Sequence, residues 1–170
     1  MYYDAYESHT TTHHGHFVTG LISMSNYVPI GKYTGATPDG RKCGEPLADA
    51  TSASIYAPVA GPTAAHRSVA RAIDSYRVPN GVTFNQRFNF TAVMTERELN
   101  KWSDLVREFV DSRGVEVQYT VVDSATLREA QKNPNQYRDL FVRVGGYSAI
   151  FVELSPEVQQ TIIARAEQSF

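Results

Sequence analysis

The chain has 170 residues, of which 42% are hydrophobic and 20% are charged, and its 16 basic and 18 acidic residues give a net charge of −2. This composition excludes a disordered, collagen-like or coiled-coil protein and predicts a globular domain. Because the chain has no basic excess, no apolar run long enough to span a bilayer, no visible signal peptide and a single cysteine, we expect no nucleic-acid or membrane partner and a cytoplasmic location.

The composition of the chain changes near residue 60. Residues 1–60 are rich in Gly, Pro, Ser and Thr and carry few helix signals, although the apolar residues 17–24 predict a buried strand. From there on, helix and strand patterns alternate at short spacing. We therefore divide the chain into residues 1–60 and 61–170.

The second part begins with a helix predicted at residues 63–73, followed by a turn and a half-buried strand at residues 82–90. Thr95 and Glu98 have the spacing of a capping box and predict the start of a long amphipathic helix. Residues 115–122 then predict a second strand.

The last part of the chain continues the alternation. Asp123 or Ser124 can cap a short helix that runs to about Lys132. Residues 140–144 and 148–154 predict two strands joined by a turn, and a final helix follows. The order β-α-β-α-β-turn-β-α favours an α/β architecture with some parallel strand pairing.

Three histidines, His13, His14 and His16, lie close together near the start of the chain. Closely spaced imidazoles bind zinc when two of them point at one ion. No carboxylate or thiolate follows at ligand spacing, so we favour solvated or substrate-channel histidines and predict no metal site.

The glycines and basic residues at positions 34–42 resemble a phosphate-binding loop only superficially. Such a loop leads directly into a helix N-terminus, whereas here Pro46 follows and no helical pattern begins. We therefore expect a turn-rich connection at this position.

Residues 143–149, Arg-Val-Gly-Gly-Tyr-Ser-Ala, place two glycines between apolar strands. Taken alone, the pair predicts a tight turn in which glycine tolerates positive φ. Its surroundings, however, resemble the C-terminal domain of glycyl radical enzymes over residues 114–168. Residues 29–31, 34–42 and 44–49 also resemble the last barrel segments of that family, so the resemblance covers most of the chain.

The family motif is Arg-Val-x-Gly-Tyr, and its glycine carries a stored radical. The matching residue here is Gly146, because the tyrosine must follow directly; Gly145 takes position x, usually Ser, Ala or Cys, and competes for the assignment. The resemblance implies that a separate radical S-adenosylmethionine activating enzyme installs the radical, so no cofactor is bound by the chain itself. We expect the apolar strands on either side to bury the radical.

The resemblance also implies a fold. We expect an α/β protein that forms the C-terminal portion of a ten-stranded α/β barrel, with late barrel strands in residues 1–60 and a glycine radical domain in residues 61–170. Such a portion would be incomplete without a partner.

Cys43-Gly44-Glu45-Pro46 matches the Cys-x-Glu-Pro loop on which this family forms its thiyl radical. The flanking residues 38–42 and 47–49 instead resemble the late barrel motif, so we interpret Cys43 as a small turn residue. The catalytic cysteine is then expected on a large partner subunit.

Two functions follow from the resemblance. In the preferred one, the chain is the radical-bearing small subunit of a split, oxygen-sensitive, anaerobic glycyl radical enzyme of the lyase, dehydratase or decarboxylase branch, acting on a small-molecule substrate. In the alternative, it is a spare-part repair protein that replaces the oxygen-cleaved radical domain of a full-length enzyme such as pyruvate formate-lyase. An inactive fragment is a third reading.

Overall fold

The computed structural model of the chain describes residues 2–55, 60–88 and 94–166. Within these ranges the helices are α1 (Tyr2–Glu7), α2 (Tyr27–Lys32), α3 (Pro62–Ala72), α4 (Glu96–Asp111), α5 (Ser124–Lys132) and α6 (Pro156–Ala166). The strands are β1 (Asn85–Phe88), β2 (Gln118–Val121), β3 (Phe141–Val144) and β4 (Tyr147–Ile150). In this described part of the chain, no helix has the length and apolar character needed to cross a membrane.

The four strands form two separate pairs. β1 and β2 are parallel, with Asn85 opposite Gln118 and Phe88 opposite Val121, and α4 lies between them in the sequence. Because parallel strands need such a crossover, this unit confirms the predicted β-α-β order and parallel pairing. β3 and β4 form the predicted antiparallel hairpin, joined by two residues.

Two clusters of buried apolar side chains hold these elements together. The first lies between the hairpin, α2, α5 and α6, and its buried members larger than alanine include Tyr27, Val28, Leu127, Val142, Val144, Phe151, Ile162 and Ile163. The second joins α3 and α4 to the segment before β1 through Ala65, Val69, Phe84 and Phe109. Burial of one large apolar side chain contributes about 1.5–3 kcal/mol, so the first cluster fixes the hairpin firmly against α5 and α6.

The helix predictions are confirmed where their capping residues were visible in the sequence. The Thr95 backbone N–H donates to Glu98 Oε2 at 3.0 Å, and Glu98 N–H donates to Thr95 Oγ1 at 3.3 Å, which completes the capping box of α4. Asp123 caps α5 by accepting from the Ala125 N–H at 3.3 Å. The division between residues 60 and 61 stays a prediction.

The prediction of a strand at residues 17–24 is wrong. Only Leu21 forms a bridge, to Val82, through hydrogen bonds to Gly81 and Thr83. Met24 has a φ of +50°, which ends the extended backbone.

β1 and β4 differ from their predicted forms. β1 is four residues long and buried on both faces, because the polar side chains of Asn85 and Arg87 point inward; residues 89 and 90 of the predicted strand lie outside the described residues. β4 ends at Ile150, before the predicted end at residue 154, since a short 3-10 helix follows and buries Phe151.

Candidate functional site

The turn of the β3–β4 hairpin consists of Gly145 and Gly146, with φ values of +50° and +103°. Two consecutive residues at positive φ are typical of a two-residue type I′ turn, which glycine adopts without strain. Gly145 is buried, and a Cβ there would collide with the backbone of Met24. Gly146 is exposed, and a Cβ there would stand 3.4 Å from Thr83 Oγ1.

The expectation that the flanking strands bury Gly146 is wrong for the chain as described. Val142 and Val144 do point into the first core cluster. Side chains alternate along a strand, so these residues bury one face of the hairpin and leave its tip beyond the core. Gly146 is therefore accessible from solvent on this chain.

The motif arginine, Arg143, connects the hairpin to the parallel strand pair. Its Nε donates to Gln118 Oε1 at 2.9 Å, and its Nη1 donates to Ser148 Oγ at 2.9 Å across the hairpin. Its backbone carbonyl accepts from Arg87 Nη2 at 3.1 Å. The hairpin is therefore hydrogen-bonded to both β1 and β2.

A buried polar cluster lies next to this connection, and sequence reasoning missed it. Asp49, which is fully buried, accepts hydrogen bonds from Arg165 Nη1 at 2.7 Å, Asn85 Nδ2 at 3.0 Å and Ser23 Oγ at 2.7 Å. Burial, together with the nearby charge of Arg165, lowers the pKa of Arg87 to about 10. Arg87 is therefore charged at neutral pH.

The histidine motif near the start of the chain is exposed. His13, His14 and His16 lie on and beside a short turn, where Thr10 and His16 form a bridge. Among the residues that the structure describes, no group of three His, Cys, Asp or Glu side chains could hold a metal ion.

A buried histidine, His66, escaped the sequence analysis because its partners are distant in the sequence. Its Nδ1 lies 2.7 Å from the Pro62 carbonyl and its Nε2 lies 2.8 Å from the Tyr119 hydroxyl. Burial lowers the pKa of His66 and raises that of Tyr119 to about 12. A neutral imidazole thus donates to Pro62 and accepts from Tyr119, in contact with the rings of Phe84 and Phe109.

The segment at residues 34–42 is an ordered turn-rich connection. The buried guanidinium of Arg41 donates to the carbonyls of Gly35, Lys42 at 3.0 Å and Glu45 at 2.7 Å, so its donors are directed at this segment's own backbone. Cys43 lies in the same connection as an exposed free thiol.

Comparisons with known proteins agree with this geometry. A family model described as "Glycine radical" matches residues 47–152, more than half of the chain. The chain is 43% identical over 154 residues to "Probable dehydratase YbiW" of Escherichia coli (strain K12), an alignment that covers 90% of this chain and 19% of that protein. It is 40% identical over 167 residues to the indoleacetate decarboxylase of Tractidigestivibacter scatoligenes, which covers 97% of this chain and 19% of the relative.

A solved structure with the same fold is the B12-independent glycerol dehydratase from Clostridium butyricum, with a TM-score of 0.90 and 45% identity over 97% of this chain and 21% of that one. The chain thus spans about a fifth of the length of these relatives. The region matched by the family model contains both strands of the hairpin and both of its glycines, and it implies a glycyl radical formed after synthesis. The chain belongs to the glycyl radical enzyme family.

Proposed function

We propose that this chain stores a glycyl radical at Gly146 and is the radical-bearing component of a glycyl radical enzyme of the lyase, dehydratase or decarboxylase branch. The observation that carries this proposal is the hairpin tip at residues 143–147, in a chain that belongs to the family. Gly146 directly precedes Tyr147 and is exposed to an activating enzyme, whereas Gly145 is buried against Met24.

The chemistry explains why the position needs glycine. Loss of one α-hydrogen leaves an unpaired electron on a carbon between an amide nitrogen, which donates electron density, and a carbonyl, which withdraws it. This delocalisation requires a planar centre, in which a side chain would clash with the flanking peptide oxygens. In this proposal a separate radical S-adenosylmethionine activating enzyme removes the hydrogen, so the chain itself binds no cofactor.

Turnover then needs a cysteine close to the radical. The Gly146 radical would take the thiol hydrogen, so that a Cα–H bond forms, an S–H bond breaks and a thiyl radical is left to act on the substrate. We assign this cysteine to a large partner chain with a Cys-x-Glu-Pro loop. The location of Cys43 in the connection held by Arg41 supports its assignment as a turn residue.

The exposed tip supports a requirement for a partner. A stored radical lasts only when water and oxygen are kept away, and Gly146 lacks such cover here. Phe17, Val18, Ile22 and Met24 are also exposed, in the segment that reaches Gly145 through Met24. An apolar surface of this kind is typical of a region that another polypeptide covers.

Two kinds of partner are possible. A large subunit carrying the cysteine loop would make the chain one half of a split enzyme, which we propose as the main function. A full-length enzyme cut by oxygen would make it a spare part, a second candidate that the match of residues 47–152 to the glycine radical family also fits. The relatives include a glycerol dehydratase, isethionate sulfite-lyases and an indoleacetate decarboxylase, so we propose a small organic molecule as the substrate.

A complementation experiment tests the proposed function. The chain and its activating enzyme would be incubated without oxygen, either with a neighbouring large chain that carries a Cys-x-Glu-Pro loop or with an oxygen-cleaved full-length enzyme. Glycerol, isethionate and indoleacetate would serve as substrates, and size-exclusion chromatography would report the complex.

A split subunit should form a stable complex that buries well over about 2,000 Å² and should show turnover only with the large chain. A spare part should instead restore activity to the cleaved enzyme. Turnover by the isolated 170-residue chain would contradict both roles, because it would require a thiyl donor within this sequence.

A further inference from the structure

The guanidinium of Arg87 is placed in a way that packing does not explain. The residue is only 4% exposed, and its Nη2 donates to the Arg143 carbonyl at 3.1 Å. Its Nε and Nη1 have no hydrogen-bond partner within the described part of the chain. Buried donors without partners cost stability, so an arginine held this way calls for a function.

The surrounding charges increase this cost. Arg87 and Arg165 lie close enough to repel each other, and Asp49 is the carboxylate that pairs with Arg165. Among the described residues, Asp49 forms its ion pair with Arg165, whereas Arg87 donates only to the Arg143 carbonyl. A neutral side chain at position 87 would relieve the repulsion and the desolvation.

The acceptor of the Arg87 hydrogen bond is a specific backbone group. Val144 and Tyr147 are the last pair before the two-residue turn, and Arg143 and Ser148 are the next pair. In such a hairpin the pair next to the turn exchanges backbone hydrogen bonds, whereas the following pair directs its carbonyls away from the partner strand. The Arg143 carbonyl therefore needs a hydrogen-bond donor from outside the hairpin, and Arg87 supplies it.

This hydrogen bond joins two parts of the molecule at the tip. Arg87 lies on β1, four residues after Thr83, and the Thr83 hydroxyl is the nearest atom to the Cβ direction of Gly146. This charge-assisted bond runs from β1 to the end of β3, so it links the strand that follows Thr83 to the strand that leads into the turn. Arg143 adds a second bond in the same direction through Gln118 on β2.

We propose that Arg87 is a positioning residue, which holds the Gly145–Gly146 turn in its place beside Thr83 through the Arg143 carbonyl. The inference rests on the proposed function in that the held glycine is the radical site. Arg87 acts through the backbone of Arg143 and does not touch the reacting atom.

The test compares Arg87→Met and Arg87→Lys with wild type in the full chain, with Arg67→Met as the matched control, because Arg67 makes an exposed ion pair with Glu108. Hydrogen exchange of the backbone amides is measured in residues 143–148 and in α4, which belongs to the other core cluster. Arg87→Met should raise exchange in the hairpin about tenfold or more and leave α4 unchanged, since a charge-assisted hydrogen bond is lost locally. Arg87→Lys, which keeps a charged donor, should recover much of the protection.

Hairpin exchange in Arg87→Met within about twofold of wild type would overturn the proposal. So would an equal rise in the hairpin and α4 in both variants, because that pattern indicates a general loss of stability. The radical signal after activation is a second readout and should be weaker and decay faster in Arg87→Met. Exchange needs no radical, so a wild-type chain that cannot be activated would contradict the proposed function and leave the test of Arg87 intact.

Discussion

At the hairpin turn, two adjacent glycines exclude a side chain for different reasons. Gly145 has no space, because a Cβ would collide with the Met24 backbone, whereas Gly146 has space but a φ of +103°. Alanine at Gly145 would therefore disturb packing, and its effect on a radical would not report on the radical site. A substitution at Gly146 mainly adds backbone strain. The same substitution at another glycine with a similar φ adds similar strain and can therefore serve as a control.

The assignment of Cys43 gives a prediction at the scale of one residue. Cys43 is exposed in a connection that Arg41 holds through backbone carbonyls, so Cys43→Ala should leave turnover of the assembled complex within a few-fold of wild type. Steady-state rates without oxygen measure this. A loss beyond about 10³, which corresponds to about 4 kcal/mol of transition-state stabilisation, would identify Cys43 as the thiyl residue.

His66 gives a prediction for pH. Burial lowers the pKa of His66 in the folded state below its ordinary value of 6.5, so the unfolded chain binds the proton more readily. The stabilisation is complete above pH 6.5 and is lost as the pH falls below it, by at most about 1.4 kcal/mol per pH unit. His66→Gln, which can still donate to Pro62 and accept from Tyr119, should remove this contribution to the slope of the free energy of unfolding against pH.

Urea unfolding between pH 7.5 and pH 5.5 measures the effect, with His9→Gln on the exposed α1 side as the control. If the free energy of unfolding changes equally with pH in wild type and in His66→Gln, protonation of His66 does not destabilise the fold, and this prediction is wrong.

At the scale of elements, α6 is held by two ion pairs of very different surroundings. Near its start, Glu157 pairs with Lys32 at 3.1 Å in solvent. Near its end, Arg165 pairs with Asp49 at 2.7 Å with both side chains almost fully buried, and the Arg165 guanidinium carbon lies over the Tyr27 ring, 5.0 Å from its centroid. Surface pairs contribute little, whereas removal of one partner from a buried pair leaves a charge without compensation.

Asp49→Ala should therefore lower the free energy of unfolding by about 3–5 kcal/mol, because Arg165 loses the carboxylate with which it is paired and Arg87 loses the attraction of that charge. Glu157→Gln is the matched control and should barely shift the unfolding midpoint in urea. Similar shifts for the two variants would mean that the buried pair contributes no more than the exposed one.

The sequence predicted those elements whose signals are local. The capping box of α4 and the cap of α5 depend on residues two or three positions apart, and both are present in the structure. The inward direction of Asn85 and Arg87 could not be predicted, because their environment comes from Asp49 and Arg165, far away in the sequence. The strand prediction at residues 17–24 failed because strand pairing also depends on distant residues. In the described chain, Val82 is the only bridge partner of this segment.

At the scale of the whole molecule, the chain supplies a well-formed core around α2, α5, α6 and the hairpin, together with an exposed tip. The glycine pair predicted the turn from local sequence, whereas Gly146 was singled out by the resemblance of residues 114–168 to the family. Its exposure could not be predicted in the same way, because burial depends on contacts with residues far away in the sequence. In the proposed function, this chain carries the radical and a partner protects it.

The measurement that tests the central claim most directly is electron paramagnetic resonance of the activated chain, prepared without oxygen. We expect a doublet from coupling to the one remaining α-hydrogen, which collapses to a single line when the glycines carry deuterium. Gly146→Ala should abolish the doublet, while Gly40→Ala, at a φ of +97° with open space around it, introduces similar strain and should retain it. A doublet that persists in Gly146→Ala would contradict the assignment of the radical to this residue.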